Sequence, residues 1–508
     1  RTLSAANAIQ DTLGPRSSIT GEPLSLKMQD LWLGGRVSPA GAHLVVRHVF
    51  ESGEKKPLEV VYAFALPRDA SLRSFRIEGE GFSVESDLQP TAKARQSYEE
   101  GIEGGHLSAL AQTYRDGLVN LNVGNIRPGE RVTVHIELVA GVENRDDGYR
   151  FRFPFTMAPC YHARAHYDVT DAGDGAAELP EDEFGDILLP TWRMAGDLHR
   201  VGFGLQVGMP GGIGAVASPS HPTRVRNGEE GRAEVFLATQ GDIPNRDLVL
   251  DVRAKEVKPF VLRGQDGRFA VFAPSALFGE SKAESRSIVF LVDRSGSMSG
   301  PPMAQARNSV LACLAALAPE DRFSVVAFDS VCECLSEVLL PATDENRQAA
   351  EKFVRRIDAR GGTELLGGIK KSMEILQQSG GEIFILTDGQ VWAGEDIIKN
   401  AKDGGLRLHC LGIGSASQDR FISQLARGTG GVSRFVGPRE RVDMAALELF
   451  SSIRTPAAQD LKASFDGQSM ETVIEPARIV FPGTPWVLQG KGREADRATL
   501  RLEWNAAG

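Results

Sequence analysis

The stretch from Ser287 to Gly300 limits the possible folds more than any other part of this chain. Ile288 to Val292 is an unbroken apolar run between polar residues. A run of that length bounded by turn formers predicts a strand buried on both faces, in the middle of a parallel sheet. It ends in Asp293, Ser295 and Ser297, three small oxygen-bearing side chains at alternate positions. Pro301 to Ala318 follows with helical spacing and proline at its start, where proline is favourable. The oxygens therefore fall on a loop between the carboxyl end of a strand and a helix N-terminus, the edge at which open α/β sheets bind ligands. A carboxylate and two hydroxyls without His or Cys are hard donors, suited to Mg²⁺, Mn²⁺ or Ca²⁺ and unsuited to zinc or copper. Asp and Ser are also preferred helix caps, so the local pattern alone leaves a capping role open.

Two later segments bear on that choice. Gly361-Gly362-Thr363-Glu364 opens another helical stretch and places a hydroxyl on a glycine-rich loop. Glu382 to Gly389 is a second buried-type strand that ends in the carboxylate of Asp388. The series Asp-x-Ser-x-Ser, Gly-Gly-Thr, Thr-Asp-Gly resembles the von Willebrand factor type A domain and its metal-ion-dependent adhesion site. All five positions match, at Asp293, Ser295, Ser297, Thr363 and Asp388. The resemblance implies that the serines bind a cation directly, Thr363 directly or through water, and the two aspartates largely through water. Mg²⁺ (or Mn²⁺ or Ca²⁺) would then keep an open coordination position and much of its charge, attracting an Asp or Glu carboxylate of a protein partner. Arg294, Met298, Gly362, Glu364 and Gly389 flank the five and are expected at the partner-facing surface.

Composition narrows the remaining classes. At 508 residues the chain exceeds one ordinary core, and 42% hydrophobic with 24% charged residues is usual for globular proteins. A net charge of −10 argues against nucleic acid as main partner, since phosphate binding needs a clustered positive surface. No apolar stretch reaches the roughly 18 residues of a membrane span. Residue 1 is Arg, so the chain reads as a trimmed product from which a signal segment could be missing. Five thinly spread cysteines lean towards a reducing compartment, and a cytoplasmic location is the favoured expectation. Cys313 and Cys410 read as core residues. Cys332 and Cys334 share one face of a predicted strand but lack a second pair for metal or redox chemistry. Cys160, His162, His166 and Asp168 form a cluster that reads as surface or packing rather than ligation.

Taken in order, residues 1–20 read as a mobile leader. Leu24–Leu33, His43–Phe50, Leu58–Leu66, Leu72–Glu78, Leu118–Val123 and Arg131–Val139 have strand composition, with one helical insert at Thr91–Gly101. Lys93-Ala-Arg95-Gln-Ser-Tyr98-Glu99, Asn122-Val-Gly-Asn125-Ile-Arg-Pro128-Gly129 and Tyr149 to Tyr161 resemble the VIT (vault protein inter-alpha-trypsin) domain. The wording around the motifs is closer to the intracellular and bacterial branch of VIT proteins than to the secreted inhibitor heavy chains. The expected organisation is multidomain: a VIT β-sandwich at 21–165, an acidic linker at 166–198, and a doubly wound, Rossmann-like α/β von Willebrand A domain at 281–454. The last is expected to be inserted into a second, hybrid-like β-sandwich made of 199–280 and 455–508.

The expected function is a non-enzymatic binding or scaffold protein acting through the cation. The alternatives are a structural subunit of a larger assembly with a purely structural metal, and a metal-dependent hydrolase or transferase. The last lacks support in the residues. No His adjoins the metal motifs, Met298 spoils a Gly-x-Ser-x-Gly elbow, and no phosphate loop is present.

Overall fold

The protein is described by a computed structural model over residues 26–505, other than 54, 56–57, 81, 87–90, 105, 107, 114–117, 156–165, 168–176, 179–199, 230, 265, 280–284, 377–380, 389–397, 400, 403–404, 415–418, 438–439, 467–469 and 493–498. The leader at 1–20 and most of the acidic linker lie outside the described residues. So does the Cys160 cluster, apart from the backbone of His166.

Alternating apolar residues drive the first unit into sheets. Its elements are β1 (Leu26–Ser38), β2 (Gly41–Ser52), β3 (Leu58–Ala65), β4 (Ser71–Gly79), β5 (Phe82–Glu85), α1 (Thr91–Glu103), β6 (Ser108–Thr113), β7 (Leu118–Ile126), β8 (Arg131–Ala140), β9 (Glu143–Arg145) and β10 (Gly148–Phe153). A short pair, β11 (His166–Tyr167) and β12 (Ala177–Glu178), precedes β13 (Arg200–Gly208), β14 (Ile213–Ala217), β15 (Thr223–Asn227), β16 (Arg232–Leu237) and β17 (Leu248–Ala254). Eight strands join in the order β15-β16-β13-β1-β2-β8-β4-β5, beside smaller sheets β14-β17-β10-β9 and β3-β7-β6. Period-two burial is regular on β8, where Val132, Val134, Ile136 and Leu138 turn inward. A single core unites Leu33 and Phe203 of the large sheet with Phe151, Leu250, Val119 and Val123 of the other two.

This pairing corrects the expected boundary at residue 199. β13 runs parallel to β1, with Leu31 opposite Val201 and Leu33 opposite Phe203, and β17 pairs with β10. Residues 200–254 therefore belong to the first unit. The Tyr149 hydroxyl sits within hydrogen-bond reach of the Val37 and Gly208 carbonyls, at 3.1 and 3.2 Å, and pins the two halves together. The intervening acidic stretch reads as a domain boundary because strand pairing across it is non-local.

Next come β18 (Phe260–Arg263) and β19 (Arg268–Ala273), and then the α/β unit. That unit runs β20 (Ser287–Asp293), α2 (Pro301–Ala315), β21 (Arg322–Phe328), β22 (Cys332–Cys334), β23 (Leu340–Pro341), α3 (Asp344–Arg355), α4 (Leu365–Leu376), β24 (Gly381–Thr387), β25 (Leu406–Ile413), α5 (Asp419–Gly428), β26 (Ser433–Val436) and α6 (Val442–Ser452). Strand order is β22-β21-β20-β24-β25-β26, parallel except for the edge strand β22. Consecutive residues of β20 feed opposite cores. Ile288, Phe290 and Val292 meet Val310 of α2 and Phe450 of α6, while Val289 and Leu291 meet Ile369 of α4 and Leu425 of α5. That double burial explains the unbroken apolar run. The strand predicted around Cys332 and Cys334 is short: β22 ends at Cys334, after which Ser336 turns the chain and its Oγ accepts from the Val338 amide.

Beyond the α/β unit, β27 (Gln459–Asp466), β28 (Glu471–Ile474), β29 (Trp486–Lys491) and β30 (Thr499–Asn505) complete the described elements. β29 pairs with β19 in the sheet β18-β19-β29-β28, and β27 pairs with β30. The α/β unit is thus inserted between β19 and β27 of a small third unit, whose core holds Phe278, Val480, Trp486 and Leu488. Among the described residues no helix is long and apolar enough to cross a membrane.

Candidate metal centre

Parallel pairing of β20 with β24 decides the site. Val292 lies opposite Leu386, so both strands deliver their next polar residues to one spot on the carboxyl edge. Asp293 is fully buried there. Its Oδ2 accepts from the Thr387 hydroxyl at 2.6 Å, and its Oδ1 accepts from the Ser295 amide at 2.9 Å. The loop then makes a single 3₁₀ turn at Gly296–Met298 that brings the Ser295 and Ser297 hydroxyls to 3.0 Å from each other. The glycine-rich loop joins through its backbone. The Gly296 amide donates to the Gly361 carbonyl at 3.1 Å, and the Arg360 amide donates to the Arg294 carbonyl at 2.6 Å. Gly361 has φ +71°, which permits the turn that leads into Thr363.

Two features fit a hard cation. The Thr363 Oγ1 is shielded from solvent and has no hydrogen-bond partner among the described residues, a rare and costly state for a hydroxyl. Asp293 is pushed up to about 7, first by burial and then by the charge of Asp388, against the lowering effect of Thr387 and Ser295. A divalent cation held at this edge would offset both costs. Among the described residues no group of three or more His, Cys, Asp or Glu assembles. Hydroxyls plus two carboxylates, the set the sequence motif offers, would suit Mg²⁺, Mn²⁺ or Ca²⁺.

Two of the flanking residues, Arg294 and Met298, depart from the sequence reading. Arg294 is buried rather than partner-facing, with Nε 3.0 Å from Asp329 Oδ2 and Nη1 2.6 Å from Glu333 Oε2. A guanidinium there gains more from two carboxylates than from solvent. Met298 is fully buried in the core beneath the loop, because the 3₁₀ turn points residue 298 inward. Gly362 is half-buried, its amide donating to Ser330 Oγ at 3.1 Å, and Glu364 is exposed. Gly389 lies outside the described residues. Thr387 and Asp329 were not singled out in the sequence. The Thr-Asp-Gly motif contains the first, while nothing local marks the second, which organises Arg294 and Arg360 across the loop.

The remaining candidates carry no comparable geometry. Cys332 and Cys334 are free thiols whose ionisation is pushed up chiefly by burial. His409 is buried with its ring edge-on to Phe481 at 5.2 Å, and its Nδ1 accepts from the Val432 amide.

A family model described as the von Willebrand factor type A domain matches residues 286–435, and one described as the vault protein inter-alpha-trypsin domain matches residues 28–138. The chain carries a VIT domain and a von Willebrand factor type A domain. The VIT match ends within the first unit: β13, β15 and β16 extend the large sheet beyond the matched residues, and β14, β17, β10 and β9 form a further sheet outside them. Relatives align along most of the chain at low identity. Von Willebrand factor A domain-containing protein 5A of Homo sapiens is 25% identical over 470 residues, covering 85% of this chain and 58% of that protein. Inter-alpha-trypsin inhibitor heavy chain H4 of Homo sapiens is 22% identical over 516 residues, covering 97% of this chain and 53% of that protein. The chain therefore spans little more than half the length of these relatives. Among solved structures, the von Willebrand factor type A protein from Catenulispora acidiphila aligns at 16% identity with a TM-score of 0.36, covering 49% of this chain and 70% of that one.

Proposed function

We propose that this protein is a non-enzymatic binding and scaffold protein whose A domain engages an acidic side chain of a protein partner through a divalent cation, Mg²⁺ by donor chemistry. The hydroxyls of Ser295, Ser297 and Thr363 and the carboxylates of Asp293 and Asp388 would hold it. The observation that supports this reading best is the Thr363 Oγ1, shielded and without a partner among the described residues, two residues after the Gly361 carbonyl that accepts from the Gly296 amide of the serine loop. When bound, the cation would supply a positive charge that directly bound neutral hydroxyls leave in part uncancelled, the aspartates acting largely through water, and a partner carboxylate is its natural complement. The chain's own contribution is positional. Asp293 fixes the Ser295 amide, Thr387 fixes Asp293, and the Asp329 salt bridges hold Arg294 away from the donors.

Catalysis is not part of this reading. A hydrolase needs a nucleophile with an adjacent base, and the hydroxyls here face each other with no imidazole or amine among the described residues of the loop. The test is calorimetric titration of Mg²⁺ into chelator-stripped protein. Wild type is expected to bind at one site, and Asp293→Ala to lose that binding while keeping its circular dichroism spectrum. Equal heats for both proteins would sink the site. Pull-down with Mg²⁺ against chelator then reads out the partner.

A further inference from the structure

The first unit, which carries the VIT domain and is called the VIT unit below, packs along β26, the lateral edge strand of the A-domain sheet, and on the chain just beyond the ends of β25 and β26. Arg68 Nη2 donates to Ser433 Oγ at 2.8 Å, Arg420 Nη1 to the Ala70 carbonyl at 2.7 Å, and Arg152 Nη2 to the Gly414 carbonyl at 3.3 Å. At the centre stands Arg150 of β10, which is buried. Its Nε and Nη2 donate to the two oxygens of Asp251 at 2.7 Å each, within the VIT unit. The same guanidinium crosses the boundary, with Nη1 donating to the Phe435 carbonyl at 2.8 Å and Nη2 to Glu440 Oε2 at 2.7 Å. Glu440 Oε1 also accepts from the Gly437 amide at 2.8 Å. A VIT side chain therefore clasps the segment that leads into α6.

From α6 the connection to the metal loop is continuous packing. Val442, Ala446 and Phe450 of α6 share one core with Met298 of the metal loop, Met303 of α2 and Phe290 of β20. The Phe450 ring lies 5.6 Å from Phe290, on the strand ending in Asp293, and 6.1 Å from Phe384, on the strand leading to Asp388. α6 also packs along α2, which starts directly after the loop.

We infer that the VIT unit, through Arg150 and Glu440, holds α6 and thereby fixes the loop that groups Ser295 with Ser297, so the VIT unit is a built-in regulator of cation binding. This rests on the metal-site reading above. The physical ground is pre-organisation. Donors held in place bind without an ordering cost, and loosening the core under Met298 adds one. Removing Arg150 leaves the half-buried Asp251 and Glu440 without their shared cation, which opens the clasp.

The experiment pairs hydrogen exchange with Mg²⁺ calorimetry on the full chain, comparing wild type with Arg150→Met. The expected result is faster amide exchange over residues 440–452 in the stripped variant, together with Mg²⁺ binding weakened about tenfold, within the range usual for coupled sites. Faster exchange with unchanged affinity overturns the inference. So does unchanged exchange, whatever the affinity. If wild type itself binds no Mg²⁺, it is the metal-site reading that has failed. Should the variant not fold, reciprocity gives a second reading on wild type alone. Mg²⁺ must then slow exchange at residues 433–436 and 440–446, and identical exchange with Mg²⁺ and with chelator overturns the proposal.

Discussion

Thr363 places stability and binding in opposition. A shielded hydroxyl without a partner costs about 1–3 kcal/mol, and its Oγ1 is in that state. Thr363→Val keeps the shape and deletes the polar atom. In chelator the variant is expected to match wild type or gain about 1 kcal/mol, and with Mg²⁺ it is expected to lose the stabilisation that a ligand confers on the state it binds. Thermal unfolding in both conditions checks this, and an equal Mg²⁺-induced rise in midpoint for the two proteins would remove Thr363 from the site. The five proposed donor residues stand out in the sequence because each is a chemically distinctive type beside a strand or glycine signal. Arg294 and Met298 were misread for the opposite reason. Nothing in the sequence shows that a single 3₁₀ turn rotates residue 298 into the core, or that Asp329 and Glu333 draw residue 294 inward.

At the level of elements, α4 shows how helix preference and packing compete. It starts two residues after Thr363 and lies on β20 and β21. Gly368 is buried in it, and a Cβ there would sit 2.9 Å from Leu291 Cδ1 and 3.2 Å from Phe328 Cγ. Replacing glycine by alanine inside a helix gains up to about 1 kcal/mol in propensity, whereas overpacking a tight core costs about 1–3 kcal/mol. Packing wins, because Leu291 and Phe328 are themselves fully buried and lack room to yield. Gly368→Ala is therefore expected to lower stability by about 1–2 kcal/mol in chemical denaturation, and a variant more stable than wild type would show that the sheet can give way. The elements of the A domain were readable in sequence because both periodicities are strong there. Short edge pieces were not. β22 ends early through the side-chain turn at Ser336, a local competition that apolar patterning does not register.

Across the whole molecule, the β9 hairpin is the point where all three units meet. Glu143 of the VIT unit is buried with Arg145 at 2.7 Å, Arg434 of the A domain at 3.6 Å and Arg68 at 3.9 Å. Arg434 also donates to Thr484 Oγ1 of the third unit at 2.8 Å, and the Ser275 amide donates to Asp146 at 2.8 Å. Burial alone would raise the Glu143 pKa, but the guanidiniums of Arg145, Arg434, Arg150 and Arg68 overcome it and hold the carboxyl at about 2. Its folded pKa lies below the unfolded value, so its contribution is present above about pH 4.5 and is lost as pH falls towards 2. Glu143→Gln is expected to cost on the order of 3 kcal/mol at pH 7 and to flatten the acid side of the stability profile between those limits. Denaturation midpoints measured from pH 2 to 7 decide it. A constant difference between variant and wild type across that range would mean that the charge is not what holds the junction.

The sequence by itself determined the donor chemistry, the strand-loop-helix setting of Asp293 and the alternation that makes the A domain a parallel sheet, because these depend on residue type and on periods of two and 3.6. Only the tertiary structure decided that β13 runs beside β1 and carries residues 200–254 into the first unit. It alone set the burial of Arg294 and Met298 and the clasp of Arg150 on Glu440. Those facts join residues far apart in the chain, and which distant partner a strand or a guanidinium finds depends on the shape of the assembled core rather than on any local pattern.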